Sequence, residues 1–239
     1  LNAGADGFNT AVGVDAGLSV TTGNYNNLFG HIAGDALTSG SLNTAIGSFS
    51  LTADTLGSRS VAVGHGTLTN QNQTNATDVY NTAVGYAAGN AVTTGTRNTL
   101  IGGLSGDALT TGDRNVAMGY ASLSSDDVGR KSVAIGYQAL ATQNFATTTE
   151  SFNTAVGYDA GQSVTTGKQN TLIGALSGDA MTTALDNVAV GYLSMSALTD
   201  ADYNVAVGKG ALSDDTQGSK STAIGYQALS TQNFTSATD

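Results

Sequence analysis

A five-residue segment recurs thirteen times along this 239-residue chain, and its spacing constrains the fold more than any other feature. It is clearest at Asn153–Gly157, which reads Asn-Thr-Ala-Val-Gly. Successive copies begin 17 residues apart, except at two places where the interval is 21. The copies begin at Asn9, Asn26, Asn43, Ser60, Asn81, Asn98, Asn115, Ser132, Asn153, Asn170, Asn187, Asn204 and Ser221. A short fixed period predicts stacked repeats, whatever their number, rather than an ordinary globular core.

The pattern inside each repeat, numbered from its first Asn or Ser, predicts a short strand. Position 2 is Thr or Val except at Asn27, position 3 is Ala or Leu, position 4 is large and apolar, and position 5 is Gly. A β-branched run that ends in Gly is typical of a strand followed by a bend. Because side chains alternate between faces, we expect position 4 to fill the coil and position 3 to point outward. An uncharged outward ladder of Ala suggests that another chain packs there, and the alternative is an Ala column in solvent.

The second half of the repeat supplies one large apolar side chain from either of two positions. Position 9 is Gly in six repeats, and an apolar residue then stands at position 12, as in Gly161 with Val164. In the others position 9 is Leu or Met, and position 12 is mostly polar, as at Asp54. Such compensation is expected of a narrow core that must be filled to native density. With a second Gly near position 15 and an Asn ladder at position 1, the repeat predicts two short strands and two Gly corners per coil.

These features predict an all-β fold, a parallel β-solenoid of about thirteen coils that occupies residues 1–239 as one repeat domain. A longer period of 72 residues overlies the first, with blocks that begin near positions 9, 81 and 153. The four additional residues of each longer coil fall at 75–80 and 147–152, where we expect loops that bulge from one edge. Because the chain begins at Leu1 without Met and stops within a repeat at Asp239, we interpret it as a fragment of a longer protein.

Composition argues against several classes of partner. The formal charge of −10 argues against nucleic acid and against an anionic membrane surface. The absence of Cys excludes disulfides and thiolate metal sites, and no apolar run approaches the length of a membrane span. We therefore expect no membrane insertion of this segment.

The repeat resembles that of a known family of surface fibres. Segments Ser60–Gly64 (Ser-Val-Ala-Val-Gly) and Ser132–Gly136 (Ser-Val-Ala-Ile-Gly) resemble the repeat of YadA-type heads of trimeric autotransporter adhesins. The 17-residue form, as in Asn81–Tyr86 with a later Thr93–Gly95, is similar to arrays in phage tail fibres. The resemblance covers nearly the whole chain. It implies a left-handed parallel β-roll with three chains packed side by side, at a bacterial surface or on a virion.

The chemistry of an active site is not visible in the sequence. His31 and His65 both stand at position 6, where other repeats carry Tyr, Ser or Lys, and no carboxylate cluster recurs beside them, so we interpret them as variation on a solvent face. The pairs Asp126-Asp127 and Asp214-Asp215 read as solvated turn residues, since the nonapeptide of calcium-binding β-rolls is absent. No phosphate-binding or dinucleotide-binding Gly motif is present. We expect no catalytic, cofactor-binding or metal-binding residues, no cofactor and no enzymatic activity; a polysaccharide-cleaving enzyme would need paired carboxylates in a groove.

Position 6 carries the most interesting exposed side chains. Tyr recurs there and could contact sugars or protein, although packing over the Gly corner is the alternative. The Tyr residues are Tyr86, Tyr120, Tyr137, Tyr158, Tyr192 and Tyr226. Glycosylation sequons occur at Asn72–Thr74, Asn75–Thr77 and Asn233–Thr235, and they would matter only in a eukaryotic secretory context.

Two functions from different classes fit these observations. The first is a structural and binding segment of an extracellular homotrimeric fibre, an adhesin head or a tail fibre, that contacts a host-surface glycan or protein receptor. The alternative is an ice-binding solenoid that uses Thr pairs such as Thr21-Thr22, Thr93-Thr94, Thr110-Thr111 and Thr165-Thr166. These pairs are interrupted within each block, whereas a flat array needs an unbroken column.

Overall fold

The computed structural model describes residues 7–234, and that part of the chain is all-β, without a helix. In the described part of the chain, thirteen strands of three residues each coincide with positions 2 to 4 of the repeats, and four strands of two residues lie between them. The strands are β1 Thr10–Val12, β2 Asn27–Phe29, β3 Thr44–Ile46, β4 Gly57–Ser58, β5 Val61–Val63, β6 Thr77–Asp78, β7 Thr82–Val84, β8 Thr99–Ile101, β9 Val116–Met118, β10 Gly129–Arg130, β11 Val133–Ile135, β12 Thr149–Glu150, β13 Thr154–Val156, β14 Thr171–Ile173, β15 Val188–Val190, β16 Val205–Val207 and β17 Thr222–Ile224.

Within each of two units, the three-residue strands stack in parallel, and each repeat pairs with the next in the same register. The chain divides into two compact units, Leu1–Asn115 and Val116–Asp239. The first unit has the order β1-β2-β3-β5-β7-β8, and the second has β9-β11-β13-β14-β15-β16-β17. Ala155, for example, pairs with Ala134 on one side and with Leu172 on the other. The predicted parallel β-solenoid, with about thirteen turns, is confirmed.

The second half of most coils is built from turns rather than from the second strand that the sequence predicted. Within residues 7–234, two-residue parallel pairs form only between β4 and β6 and between β10 and β12, with one isolated bridge between Lys168 and Leu185. The inserted residues supply β6 and β12, so these stretches are not simple bulging loops, and Val79 is fully buried. Left-handed backbone conformations recur through this half of the coil and interrupt strand geometry, as at Gly161 with φ of 59°.

The prediction of which strand residue faces the interior is wrong. Position 3 points inward and is fully enclosed in coil after coil, as at Ala155, which has no exposed surface. Positions 2 and 4 point outward, so that Thr154 and Val156 are only half-buried. The interior space opposite the strand is already occupied by a large side chain from position 9 or position 12. Small Ala therefore fits inside, and the bulky β-branched residues stand on the outer face.

The inward direction of position 3 explains where Gly occurs at position 9. A Cβ atom on Gly161 would lie 2.6 Å from Cδ1 of Leu172, and one on Gly178 would lie 2.8 Å from its Cδ2. Leu28 and Leu100 take the same place between flanking glycines in the first unit. Where position 3 is Ala, position 9 can be large, as at the fully buried Leu140. The predicted compensation is confirmed, and Leu at position 3 proves to be its third member.

Buried Asn residues and the Gly corners tie each coil to the next. Asn153 Nδ2 donates to the carbonyl of Gly167, and Asn153 Oδ1 accepts from the backbone N–H of Asn170. Gly157 has a φ of 148°, and a Cβ there would lie 2.4 Å from the carbonyl oxygen of Gly174. Only Gly tolerates both the conformation and the approach, so its presence at position 5 of every coil follows from the stacking.

Candidate interaction surfaces

The outer stripe, which we define as the outward side chains of positions 2 and 4, is an apolar face along the strands. Position 4 is partly or largely exposed in every coil, and Val12, Ile46 and Ile224 have 57%, 42% and 69% of their surface exposed. Position 2 adds Thr or Val, with Asn27 as the exception, and no charged residue stands at either position. Contiguous exposed apolar patches are uncommon on monomeric soluble proteins and mark interaction sites.

An aromatic ladder of Tyr120, Tyr137 and Tyr158 stands beside the stripe, just past the Gly corner, in the second unit. The rings stack nearly parallel, with centroids 5.6 Å apart for the first pair and 5.2 Å for the second. All three residues stay exposed, by 51%, 42% and 54% of their surface. The rings cover one another's faces, so the ladder presents its edges and hydroxyl groups to a partner.

The two histidines belong to an equivalent ladder in the first unit. His31 packs edge-on against Phe49, Phe49 contacts His65, and His65 stacks on Tyr86 at 5.7 Å. Phe49 stands at position 7 and contacts both histidine rings, while position 6 of its own coil is the small Ser48. Both histidines are exposed aromatic members of this ladder.

Each longer coil carries an ion pair that is backed by an aromatic ring, a feature that the sequence analysis did not identify. Arg59 bonds Asp78 at 2.8 Å, and its guanidinium lies 5.7 Å from the ring centroid of Tyr80. In the second unit Lys131 bonds Glu150 at 2.6 Å and lies 5.0 Å from the ring centroid of Phe152. The three members of each cluster are offset by 72 residues, so the longer sequence period could have revealed the correspondence. Exposed pairs of this kind contribute little to stability.

The first Thr of most Thr pairs directs its hydroxyl group into a hydrogen bond within the solenoid. The hydroxyl of Thr165 donates to the carbonyl of Thr182, whose own hydroxyl donates to the carbonyl of Thr199. The next residue in each coil is exposed; it is Thr at positions 166 and 183 and Asp at position 200. Hydroxyl groups that are committed to the backbone are poorly placed to order water in a flat external array.

In the Ser-headed coil of each block and in the coil before it, position 9 supplies the apolar plug and position 12 carries a buried polar network. Asp126 has no exposed surface, and its carboxylate accepts from the backbone N–H of Gly129 and from Nε2 of Gln143, the latter at 2.7 Å. The same Nε2 donates to Ser132, and Oε1 of Gln143 accepts from Asn153. Burial raises the pKa of Asp126, while the bonds from Gln143 and the backbone oppose that rise.

The network recurs at equivalent places, which corrects the reading of these Asp residues as solvated. Asp54 bonds Gln71, Asp215 bonds Gln232, and both Asp residues are fully buried. In the pairs considered from the sequence, Asp214 is exposed and Asp127 is half-buried. A sequence signal could have identified the network. Each of these Asp residues stands at position 12, and position 12 of the next coil, which always begins with Ser, is Gln.

The remaining sequence candidates are dispersed. Asn72, Asn75 and Asn233 are exposed, and Thr235, which completes the last sequon, lies outside the described residues. Within residues 7–234, no group of three or more metal-ligating side chains comes together. In that same range no helix has the length and apolar character needed to cross a membrane.

Comparisons with known proteins find no match to this chain. No protein-family model matches the chain, and neither a curated protein nor a solved structure matches it.

Proposed function

We propose that this chain is a structural and binding segment of an extracellular trimeric fibre, a surface adhesin or a tail fibre, that contacts a receptor on a host surface. The observation that carries the proposal is the outer stripe, which keeps Val, Ile, Phe or Met outward in every coil. Two further copies of the chain would cover it, and the parallel stacking within each unit would give the copies repeated complementary faces.

The corrected direction of position 3 changes which side chains would lie between the copies. Ala155 lies inside the coil, so it is unavailable to a neighbouring chain. Val156 and Ile173, on adjacent strands, stand on the outer face and would supply the contact. Larger side chains bury more apolar area than Ala, so the corrected geometry supports association more strongly than an Ala ladder would.

Analytical ultracentrifugation of the full chain tests the assembly. We expect a trimer at micromolar concentration, and a folded single chain with Val156→Asp and Val190→Asp together, because both charges would be buried between copies. Thr166→Asp, an exposed position away from the stripe, is the matched control and should leave the trimer intact. A single-chain mass for the unaltered protein would contradict the proposal.

Receptor contact is assigned to the aromatic ladder, because aromatic side chains give large contact area at low entropic cost. A glycan array and a pull-down from host-cell surface proteins would identify the receptor class. Replacement of Tyr120, Tyr137 and Tyr158 by Ala should abolish binding, whereas Tyr203→Ala, at an exposed Tyr outside the ladder, should not. Equal binding by both variants would remove the ladder from the receptor site.

A further inference from the structure

The second unit brings two carboxylate side chains together at a place that the trimer proposal does not use. Position 7 of one coil lies against position 10 of the next, as Nε2 of Gln162 donates to Oε1 of Gln138 at 2.9 Å. One coil further on, the same two positions carry Asp159 and Asp179. The neutral donor–acceptor pair is therefore followed by a pair of groups that, when ionised, can only accept.

Backbone hydrogen bonds from two consecutive residues hold the main chain of both Asp residues in place. The N–H of Gln162 donates to the carbonyl of Asp159 at 3.2 Å, and the N–H of Ser163 donates to the carbonyl of Asp179 at 3.1 Å. Asp159 is held in the left-handed conformation, with φ of 51°, and its own N–H bonds the carbonyl of Tyr137. The two carboxylates thus extend from adjacent coils that are locked in register.

Neither carboxylate has its full set of hydrogen bonds. Asp159 is only 8% exposed, and the Oδ1 atoms of both Asp159 and Asp179 are buried without a hydrogen-bond partner. Burial, with a further contribution from the charge of Asp159, raises the pKa of Asp179. Buried charged groups are normally paired or bound to a metal ion, because an uncompensated one is costly.

We propose that Asp159 and Asp179 form a binding site for a hard divalent cation of the Ca²⁺ type. Carboxylate oxygens are the ligands that this ion prefers, and water would complete its coordination. The other blocks lack the complete arrangement. Asp107 faces Ala87, and Asp15, which stands opposite Asp35, is exposed to solvent.

Terbium luminescence tests the site, because Tb³⁺ replaces Ca²⁺ and emits when a nearby Tyr is excited. Tyr158 is close enough to Asp159 that the carboxylate raises the pKa of its phenol. Titration of the full chain should give saturable, Tyr-sensitised emission that Ca²⁺ displaces. Asp159→Asn and Asp179→Asn should each lose that emission, and Asp107→Asn should keep it.

Thermal unfolding separates cation binding from a proton shared by the two carboxylates. With a cation site, Ca²⁺ should raise the unfolding temperature of the unaltered chain and of Asp107→Asn relative to a chelator, but not that of Asp159→Asn. A chain that responds to acid but not to Ca²⁺ would overturn the proposal in favour of the shared proton. Emission that is unchanged in Asp159→Asn would also overturn it.

Discussion

Nε2 of Gln143 donates a 2.7 Å hydrogen bond to the carboxylate of Asp126 one coil away, and both side chains have no exposed surface. The solenoid therefore places a carboxyl group in its narrow interior and satisfies it with a side chain that the next coil supplies. Gln143 also accepts from Asn153, so its amide orientation is fixed from both ends. A network of this kind is stable only while all its members are present.

Removing Gln143 should therefore be more damaging than removing the whole pair. We expect Gln143→Leu to lower the free energy of unfolding by about 2–3 kcal/mol, because it deletes a bond to a buried carboxyl group. With Asp126→Leu added, the loss should shrink or reverse, since a well-packed apolar pair often replaces buried polar groups without cost. Met195 and Leu198, both fully buried in one coil, show that the interior can hold two large apolar residues. Denaturant unfolding of the single and double variants measures both values, and a double variant weaker than the single would contradict the argument.

The reversed strand direction gives a prediction that distinguishes adjacent residues. Ala155→Asp should destabilise the chain by about 3–5 kcal/mol, because it buries an uncompensated charge. Val156→Asp should leave the circular dichroism spectrum of the fold unchanged, because the new carboxylate points outward. Equal loss of structure in the two variants would show that both positions face the interior.

The period of the sequence was sufficient to predict the solenoid, because the stacking register follows directly from the recurring Asn and Gly. The faces of the strand were harder to assign, since positions 2, 3 and 4 are all uncharged. Burial of the larger side chain is the usual expectation, and Ala155 and Val156 reverse it because the opposite wall fills the interior. The Gln143 network joins two coils, so no single repeat reveals it. The pairing of Asp159 with Asp179 likewise depends on adjacency between coils.

Leu172 and Gly161 should behave as a coupled pair. Leu172→Ala alone should cost about 2–5 kcal/mol through the cavity it leaves, and Gly161→Ala alone about 1–3 kcal/mol through overpacking against Leu172. Combined, the two changes should cost less than their sum, because the 2.6 Å approach to Cδ1 no longer exists. Unfolding free energies of the four proteins complete the cycle, and strict additivity would mean that the two residues do not compete for space.

Substitution of two glycines with different surroundings tests why position 5 is Gly in every coil. Gly157→Ala should destabilise by about 3 kcal/mol or more, since φ is 148° and the carbonyl oxygen of Gly174 lies 2.4 Å from the new Cβ. Gly210→Ala should cost only about 1 kcal/mol, because φ is 63° and the nearest atom to the new Cβ would be Cγ of Gln227 at 3.5 Å. Thermal unfolding followed by circular dichroism compares them, and similar losses would show that the close approach to Gly174 is not what requires Gly at position 5.

Because the carboxyl group of Asp107 is partly buried, we expect the folded protein to become more stable on mild acidification. Its Oδ1 is buried without a hydrogen-bond partner, and burial raises its pKa above the ordinary value. The folded state therefore disfavours the ionised form of this carboxyl group. Its protonation contributes fully to the free energy of unfolding below the pKa of the unfolded chain, about 3.9, and this contribution is lost as the pH rises through the higher pKa of the folded chain. Asp107→Asn should reduce the gain in unfolding temperature as the pH falls through that window, whereas Asp214→Asn, at an exposed carboxylate, should not. One carboxyl group can change the free energy of unfolding by at most about 1.4 kcal/mol per pH unit. An unchanged pH profile in Asp107→Asn would show that this carboxyl group is equally solvated in the folded and unfolded chain.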